Sequence, residues 1–317
     1  MNKKTLFFIM KFAISAILIW FIAFNFDLGV AVERYKDIKI FYLLGAIIIF
    51  AVLLVNNTAR WIIVLNAIKA DLPFRIAIKI IYISIFFNQT LPSTIGGDAY
   101  KIYLARKTGI DLKSAINGVM LERAAALLGL FLLVILSQPF LIARIGDDPV
   151  KYLFPALTVM ALVGIVGLML LDRLPKDLQT WRIIGGLVHL ASDTKRLFLS
   201  PQYACKAIFL GISGNILLAM SAYLTFRALS VEVSILDCLV LFPPIILFMT
   251  LPISIAGWGV REGAMVGAFA FVGILEGDAF VVSVLFGLIN IIFALPGGLL
   301  WLKGEYNRAE VAEEVDQ

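Results

Sequence analysis

Seven stretches of this chain are apolar for long enough to cross a lipid bilayer, and that limits the fold more than any motif does. A hydrocarbon core of about 30 Å takes about 20 apolar residues in a helix. Such stretches fall near 5–26, 40–66, 116–142, 152–171, 204–226, 235–256 and 279–302. With 61% hydrophobic and 15% charged residues and a mean hydropathy of +0.97, the 317-residue chain leaves little for a soluble domain. Continuous apolar runs of this length predict an all-α polytopic membrane protein. The first run is too long for a signal peptide and lacks an A-x-A cleavage site, so a retained helix is expected there.

One segment breaks the pattern. "TLPSTIGGDAYK", Thr90 to Lys101, follows an apolar run but carries a proline, two glycines, an aspartate and a lysine. It has a twin: "TLPSTIGG" at 90–97 matches "TLPISIAG" at 250–257 in five of eight positions, 160 residues later. The same offset maps 44–66 onto 204–226 and 117–142 onto 277–302. This predicts one transmembrane domain over 1–304, with repeat one at about 1–145, repeat two at about 146–304, and a short polar cytoplasmic tail at 305–317.

The arm after Gly97 would bury Lys101, Arg106, Lys107 and Asp111, at about 2.5–3.5 kcal/mol each at the bilayer centre. Residues 76–115 are therefore expected to enter and leave on one face as a re-entrant helical hairpin, and 236–275 likewise. Each half then holds about three spanning helices. That odd number turns the second repeat upside down.

With the amino terminus inside, 18 of the 27 basic residues fall on the cytoplasmic side, counting Lys101, Lys107 and Arg196 there, and six fall outside. This bias predicts a multi-pass protein of the cytoplasmic (inner) membrane with both termini in the cytoplasm.

Pro92 and Pro252 stop helices, while Gly96, Gly97 and Gly257 permit reversal. The tips, Thr90, Pro92, Thr94, Gly96 and Gly97 in one hairpin and Thr250, Pro252, Ser254, Gly257 and Gly259 in the other, are expected to meet near the bilayer centre. Inverted-repeat transporters place substrate there, on broken helices with free ends. Gly259, Gly263 and Gly267 form a small-residue stripe expected to pack the second hairpin. Leu178, Trp181, Ile184, Val188 and Ala191 share one face of 176–199, which predicts an interfacial cytoplasmic helix.

Seven ionisable residues stand in or beside apolar segments: Arg60, Asp98, Lys101, Glu122, Arg123, Arg261 and Glu262. Each should face a partner or a wet cavity. Two readings stay open. Cross-pairs such as Glu122–Arg261 and Arg123–Glu262 would clamp hairpins to helices. Alternatively, Arg60, Lys101, Arg123 and Arg261 bind an anionic head group, while Asp98, Glu122 and Glu262 orient them or exchange a proton.

Other chemistry finds little support. His189 is the only histidine and is expected at the surface. Cys205 and Cys238 bracket a span, which argues against a disulfide. No nucleotide phosphate loop or dinucleotide fingerprint occurs. Neither cofactor, metal nor nucleic acid is expected, and the net charge of +5 is read as topology. Asp27, Glu33 and Asp37 in an outer loop are a weak metal signal.

The ordered series "RW" at 60–61, "LPSTIGGDAYK" at 91–101, "ER" at 122–123 and "LPISIAGWGVRE" at 251–262 resembles the lysylphosphatidylglycerol synthase transmembrane region family. That family includes the flippase half of the bacterial multiple peptide resistance factor, and the resemblance implies lipid translocation. Lys101 stands where arginine is usual and Ala256 where glycine is frequent, departures that bear on head-group preference. The sequence ends about 15 residues beyond the last span, so no aminoacyl-transferring domain and no enzymatic activity are expected. The expected ligand is a membrane lipid with an anionic head group, either a phospholipid or a polyprenyl-phosphate-linked lipid. A lipid-synthesising enzyme and a second copy of the chain are the protein partners considered. The alternatives are a lipid-modifying enzyme of glycosyltransferase type and a secondary transporter of small anions.

Overall fold

The computed structural model describes residues 38–90, 96–145, 150–170, 182–249 and 257–302. The first apolar run, Asp27, Glu33, Asp37, Pro92, Thr94, Leu178, Trp181, Thr250, Pro252, Ser254 and the 305–317 tail lie outside them. The described residues form ten helices and no strand. In chain order these are α1 (Ile40–Ala67), α2 (Phe74–Thr90), α3 (Gly96–Lys107), α4 (Leu112–Ile145), α5 (Val150–Leu170), α6 (Arg182–Phe198), α7 (Pro201–Ala228), α8 (Ile235–Met249), α9 (Val260–Ala270) and α10 (Glu276–Leu302).

Among the described residues, four helices are long and apolar enough to cross a membrane: α1, α4, α7 and α10. Their outer faces show why lipid is the solvent. Phe41, Leu44, Ile48, Val52 and Val55 of α1 are exposed on one stripe, as are Leu288, Ile292, Leu295 and Leu299 of α10. Apolar stripes of this size on a soluble surface would drive aggregation. Asp111 fixes the start of α4: its Oδ1 accepts the Lys113 and Ser114 N–H groups at 2.9 and 3.1 Å, the N-cap arrangement.

The apolar run at 235–256 forms only the 15-residue α8 within the described residues, with Pro243 and Pro244 buried inside it. At 1.5 Å per residue this is about 22 Å of helix, short of a bilayer core. Likewise α2 ends at Thr90 and α3 begins at Gly96. The order long, short, short, long therefore occurs twice, with helix starts at 40, 74, 96 and 112 and again at 201, 235, 260 and 276. The exits of α1 and α7 also match. Lys69 and Ser230 both adopt left-handed backbone, at φ 62° and 57°. The following N–H of Ala70 returns to Leu65 O at 2.9 Å, and that of Val231 to Phe226 O at 3.1 Å.

The core lies where α1 crosses α7, with α4 against α7 and α2 against α10. Small residues set these approaches. A Cβ on Gly129 of α4 would lie 2.5 Å from the backbone of Gly211 in α7, and one on Gly297 of α10 would overlap Tyr82 O of α2. Gly97 is helical rather than part of the reversal: its missing Cβ makes room for Ser84 O and Asn88 of α2. Gly257 and Gly259 do take positive φ, at 79° and 83°, as a reversal requires.

Of the stripe expected to pack the second hairpin, only Gly259 is buried among the described residues. Gly263 and Gly267 are exposed, and nothing lies within 4 Å of a Cβ built on Gly267. The buried face of α9 is Arg261, Glu262, Met265, Val266 and Phe269. The paired test is direct. Gly129→Ala should lower the melting temperature of the purified protein, by an overpacking cost of about 1–3 kcal/mol, while Gly267→Ala should leave it unchanged or raise it.

Helix α6 buries Leu190, Ala191, Thr194 and Leu197. Ala191 of the expected stripe thus faces inward and Val188 is half-buried. Asn117 Nδ2 of α4 ties α6 down by donating to Asp193 Oδ2 at 2.7 Å. His189 is exposed, and Cys205 and Cys238 are free thiols.

Candidate functional site

Asn56 and Arg60 sit four residues apart on α1, which places them on one helix face. Asn56 Nδ2 donates to Leu210 O of α7 at 2.9 Å and its Oδ1 accepts from Ser213 Oγ at 2.7 Å. One turn on, Arg60 reaches α4: its Nε donates to Glu122 Oε1 at 2.8 Å and Nη2 bonds the same oxygen. The other carboxylate oxygen accepts from Lys101 Nζ of α3 at 3.3 Å. The lysine ammonium also lies 4.3 Å from the centre of the Trp61 ring, a cation–π contact. One carboxylate therefore joins three helices. Lys101, counted by the charge bias with the cytoplasmic arm, is 4% exposed, and Arg60 and Glu122 are buried beside it.

Asp98, in the first turn of α3 where negative charge suits the helix dipole, pairs with Arg123 of α4. This pair is more open, with 44% of the Arg123 side chain exposed. Asp98 also acts electrostatically on Lys101. Among the described residues, the α1–α3–α4 cluster thus gathers three cations, Arg60, Lys101 and Arg123, around two carboxylates.

The second cluster is closed. Arg261 Nε donates to Glu262 Oε1 at 3.0 Å and to Ser283 Oγ of α10 at 3.1 Å, and Ser283 Oγ donates to the same carboxylate oxygen. The guanidinium carbon stands 4.6 Å from the Trp258 ring centre. Gly287 leaves the space it occupies, since a Cβ there would fall 2.7 Å from Nη1. The cross-pairs Glu122–Arg261 and Arg123–Glu262 are not formed. Glu122 is taken by Arg60 and Lys101, and Glu262 by Arg261, which folds back along the first turn of α9.

The helix starts after the two breaks are not bare either. Gly97 N–H donates to Asn88 Oδ1 at 3.1 Å, and Gly259 N–H to Glu262 Oε2 at 2.5 Å.

A feature that the charge-based sequence reading passed over lies beside the first break. A cavity of about 170 Å³ between α1, α2, α7 and α10 is lined by Asn57, Asn88, Gln89 and Asn290, with Phe50 and Phe293 among its apolar walls. The signal was present, because each amide interrupts an apolar run. A second cavity, of about 410 Å³, lies where the α7–α8 and α9–α10 connections meet and includes Glu232 and Asp278. No group of three or more metal-ligating side chains occurs among the described residues.

The chain is 23% identical over 303 residues to a UPF0104 membrane protein of Methanothermobacter thermautotrophicus, an alignment covering 86% of this chain and 85% of that protein. No solved structure matches it. Residues 8–298 match the lysylphosphatidylglycerol synthase transmembrane region, so that "RW", "GGDAYK", "ER" and "GWGVRE" all fall within the matched span. The chain belongs to the lysylphosphatidylglycerol synthase transmembrane region family.

Proposed function

We propose that the protein moves an anionic lipid between the leaflets of the cell membrane, without modifying it. The observation that carries this reading is the gathering of three cations around two carboxylates by α1, α3 and α4 among the described residues, with Arg123, 44% exposed, as its accessible face. A charge within a membrane fold is costly unless something uses it, and a guanidinium suits a phosphate. In this reading Arg123 takes the phosphate while Asp98 orients it, and Arg60 and Lys101 supply the field from behind. Reconstituted in liposomes, Arg123→Gln should slow movement of fluorescent phosphatidylglycerol at least tenfold. Its melting should shift by no more than about 1 kcal/mol, as for a partly exposed pair. Unchanged movement would remove the head-group role.

The same reading takes the two halves as an inverted repeat with re-entrant hairpins. Recurrence of the helix order and of the left-handed exits supports it. So does the packing, in which α2 lies on α10 and α8 on α4, each short helix on the long helix of the other half. The breaks then bring backbone polar groups to mid-membrane, where transporters bind substrate. Cysteines at Lys107 and Arg196 should react only with a reagent applied from the cytoplasm, and one at Glu276 only from outside. Labelling of position 107 from outside would end the re-entrant reading.

A lipid-modifying enzyme would need a carboxylate cluster at a membrane surface. The larger cavity offers Glu232 and Asp278 alone among its lining residues, which is a weak basis for metal-dependent chemistry.

A further inference from the structure

The four amides around the smaller cavity are placed where amides are least expected. Asn57 is the eighteenth residue of α1, Asn290 the fifteenth of α10, and Asn88 and Gln89 the fifteenth and sixteenth of α2. The first two sit deep in helices that are long enough to span, and the other pair ends the helix just before the first break. Asn88 accepts the Gly97 N–H. The side chains of Asn57, Gln89 and Asn290 make no hydrogen bond to other described residues. A polar group in an apolar phase needs a partner, and a cavity with several amides and apolar walls satisfies them only by holding something polar.

The corresponding helix positions show that this polarity is confined to one place. At the 160-residue offset of the repeat, Asn57 maps onto Leu217, Asn88 onto Phe248, Gln89 onto Met249 and Asn290 onto Leu130. All four amides thus have apolar counterparts. Packing alone does not call for amides at these depths, because the same helix scaffold is built elsewhere with leucine, phenylalanine and methionine.

Among the described residues, no charged side chain lines the cavity. Each amide offers two donors and an acceptor carbonyl, which matches hydroxyl groups, since these both give and take. A bare phosphate in the same space would lack a counter-charge. We propose that this chamber binds the uncharged, hydroxyl-bearing part of a lipid head group, of the glycerol or sugar class. The proposal rests on the lipid-transport reading and divides the head group between two places. Asn88 bonds to Gly97, which directly precedes Asp98, the partner of Arg123. Asn57 lies one turn from Arg60 on α1. A phosphate held at Arg123 would therefore be next in line to a polyol held by the amides.

The test uses the full chain purified in detergent micelles containing phosphatidylglycerol, phosphatidylglucoside or phosphatidylcholine in turn, with retained lipid counted by native mass spectrometry. Wild type should retain phosphatidylglycerol or phosphatidylglucoside at least tenfold over phosphatidylcholine, and which of the two wins identifies the class. Asn57→Leu with Asn290→Leu should abolish that preference while melting at the same or a higher temperature, because it replaces two unpaired amides by groups the walls accommodate. Equal retention of all three lipids by wild type, as for a chamber holding water only, would overturn the proposal. So would a preference that survives the double substitution. Movement of phosphatidylglycerol in liposomes is scored separately. Transport without head-group preference sinks the chamber and leaves the transporter standing, whereas absence of any transport sinks the transporter reading.

Discussion

Glu122→Gln is expected to be the most damaging single substitution in the charged cluster. Its carboxylate is the shared acceptor of two buried cations, Arg60 Nε at 2.8 Å and Lys101 Nζ at 3.3 Å. Removing one partner of a buried pair costs about 3–5 kcal/mol because the other is stranded, and here two are stranded at once. That is a large share of a total stability of about 5–15 kcal/mol. Lys101→Met should be far milder, since it leaves Arg60 and Glu122 as a one-to-one pair and fills the space over Trp61 with an apolar chain of similar length. The measurement is thermal melting of detergent-purified protein. The expected order of loss is Glu122→Gln, then Arg60→Gln, then Lys101→Met, and Glu122→Gln with Lys101→Met should melt above Glu122→Gln alone. If Glu122→Gln melts like wild type, the carboxylate is not what joins the three helices.

Much of the architecture was legible because it is a one-dimensional property. The run at 40–66 became α1 at Ile40–Ala67, and 279–302 lies within α10 at Glu276–Leu302. Around Pro92, which lies outside the described residues, α2 ends at Thr90 and α3 begins at Gly96, so a helix stands on either side of the expected break. Of the seven ionisable residues that stand out in the sequence, Arg60, Lys101, Glu122, Arg261 and Glu262 are buried, whereas buried Asp193 of α6 is not among the seven, because it lies in a polar amphipathic stretch. What could not be read was pairing. Glu122 meets Arg60, 62 residues away, through side-chain reach and helix rotation that no spacing encodes. One of the two readings paired Arg261 with Glu122 on another helix, yet it folds onto its neighbour Glu262 in a slot beside Gly287 and Trp258. The glycine stripe of α9 was misread for a related reason. Small residues permit close approach, but only the partner's position decides whether approach occurs, and the buried face of α9 is the one bearing Met265 and Phe269. The amides of the smaller cavity were overlooked because uncharged residues perturb hydropathy weakly.

Arg261 is where clamp and ligand can be separated most sharply. The geometry favours the clamp: the residue is 2% exposed and Glu262 fully buried, and their charged groups are held by each other, by Ser283 and by Trp258. Arg261→Gln should then lower stability by about 3–5 kcal/mol, because it leaves the Glu262 carboxylate in a dry site. Arg261→Gln with Glu262→Gln should recover most of the loss, since replacing both charges can be nearly neutral. The recovery will be incomplete, because Glu262 also accepts the Gly259 N–H at the start of α9, a cap that a glutamine oxygen reproduces more weakly. Gly287→Ala should mimic the single substitution without touching a charge, by pushing a methyl group into the guanidinium. Lipid movement in liposomes supplies the second readout. Under the clamp, the double mutant transports in proportion to the folded protein recovered. If it folds but moves no lipid, Arg261 is itself a head-group ligand, reached in a conformation in which the slot beside Gly287 has opened.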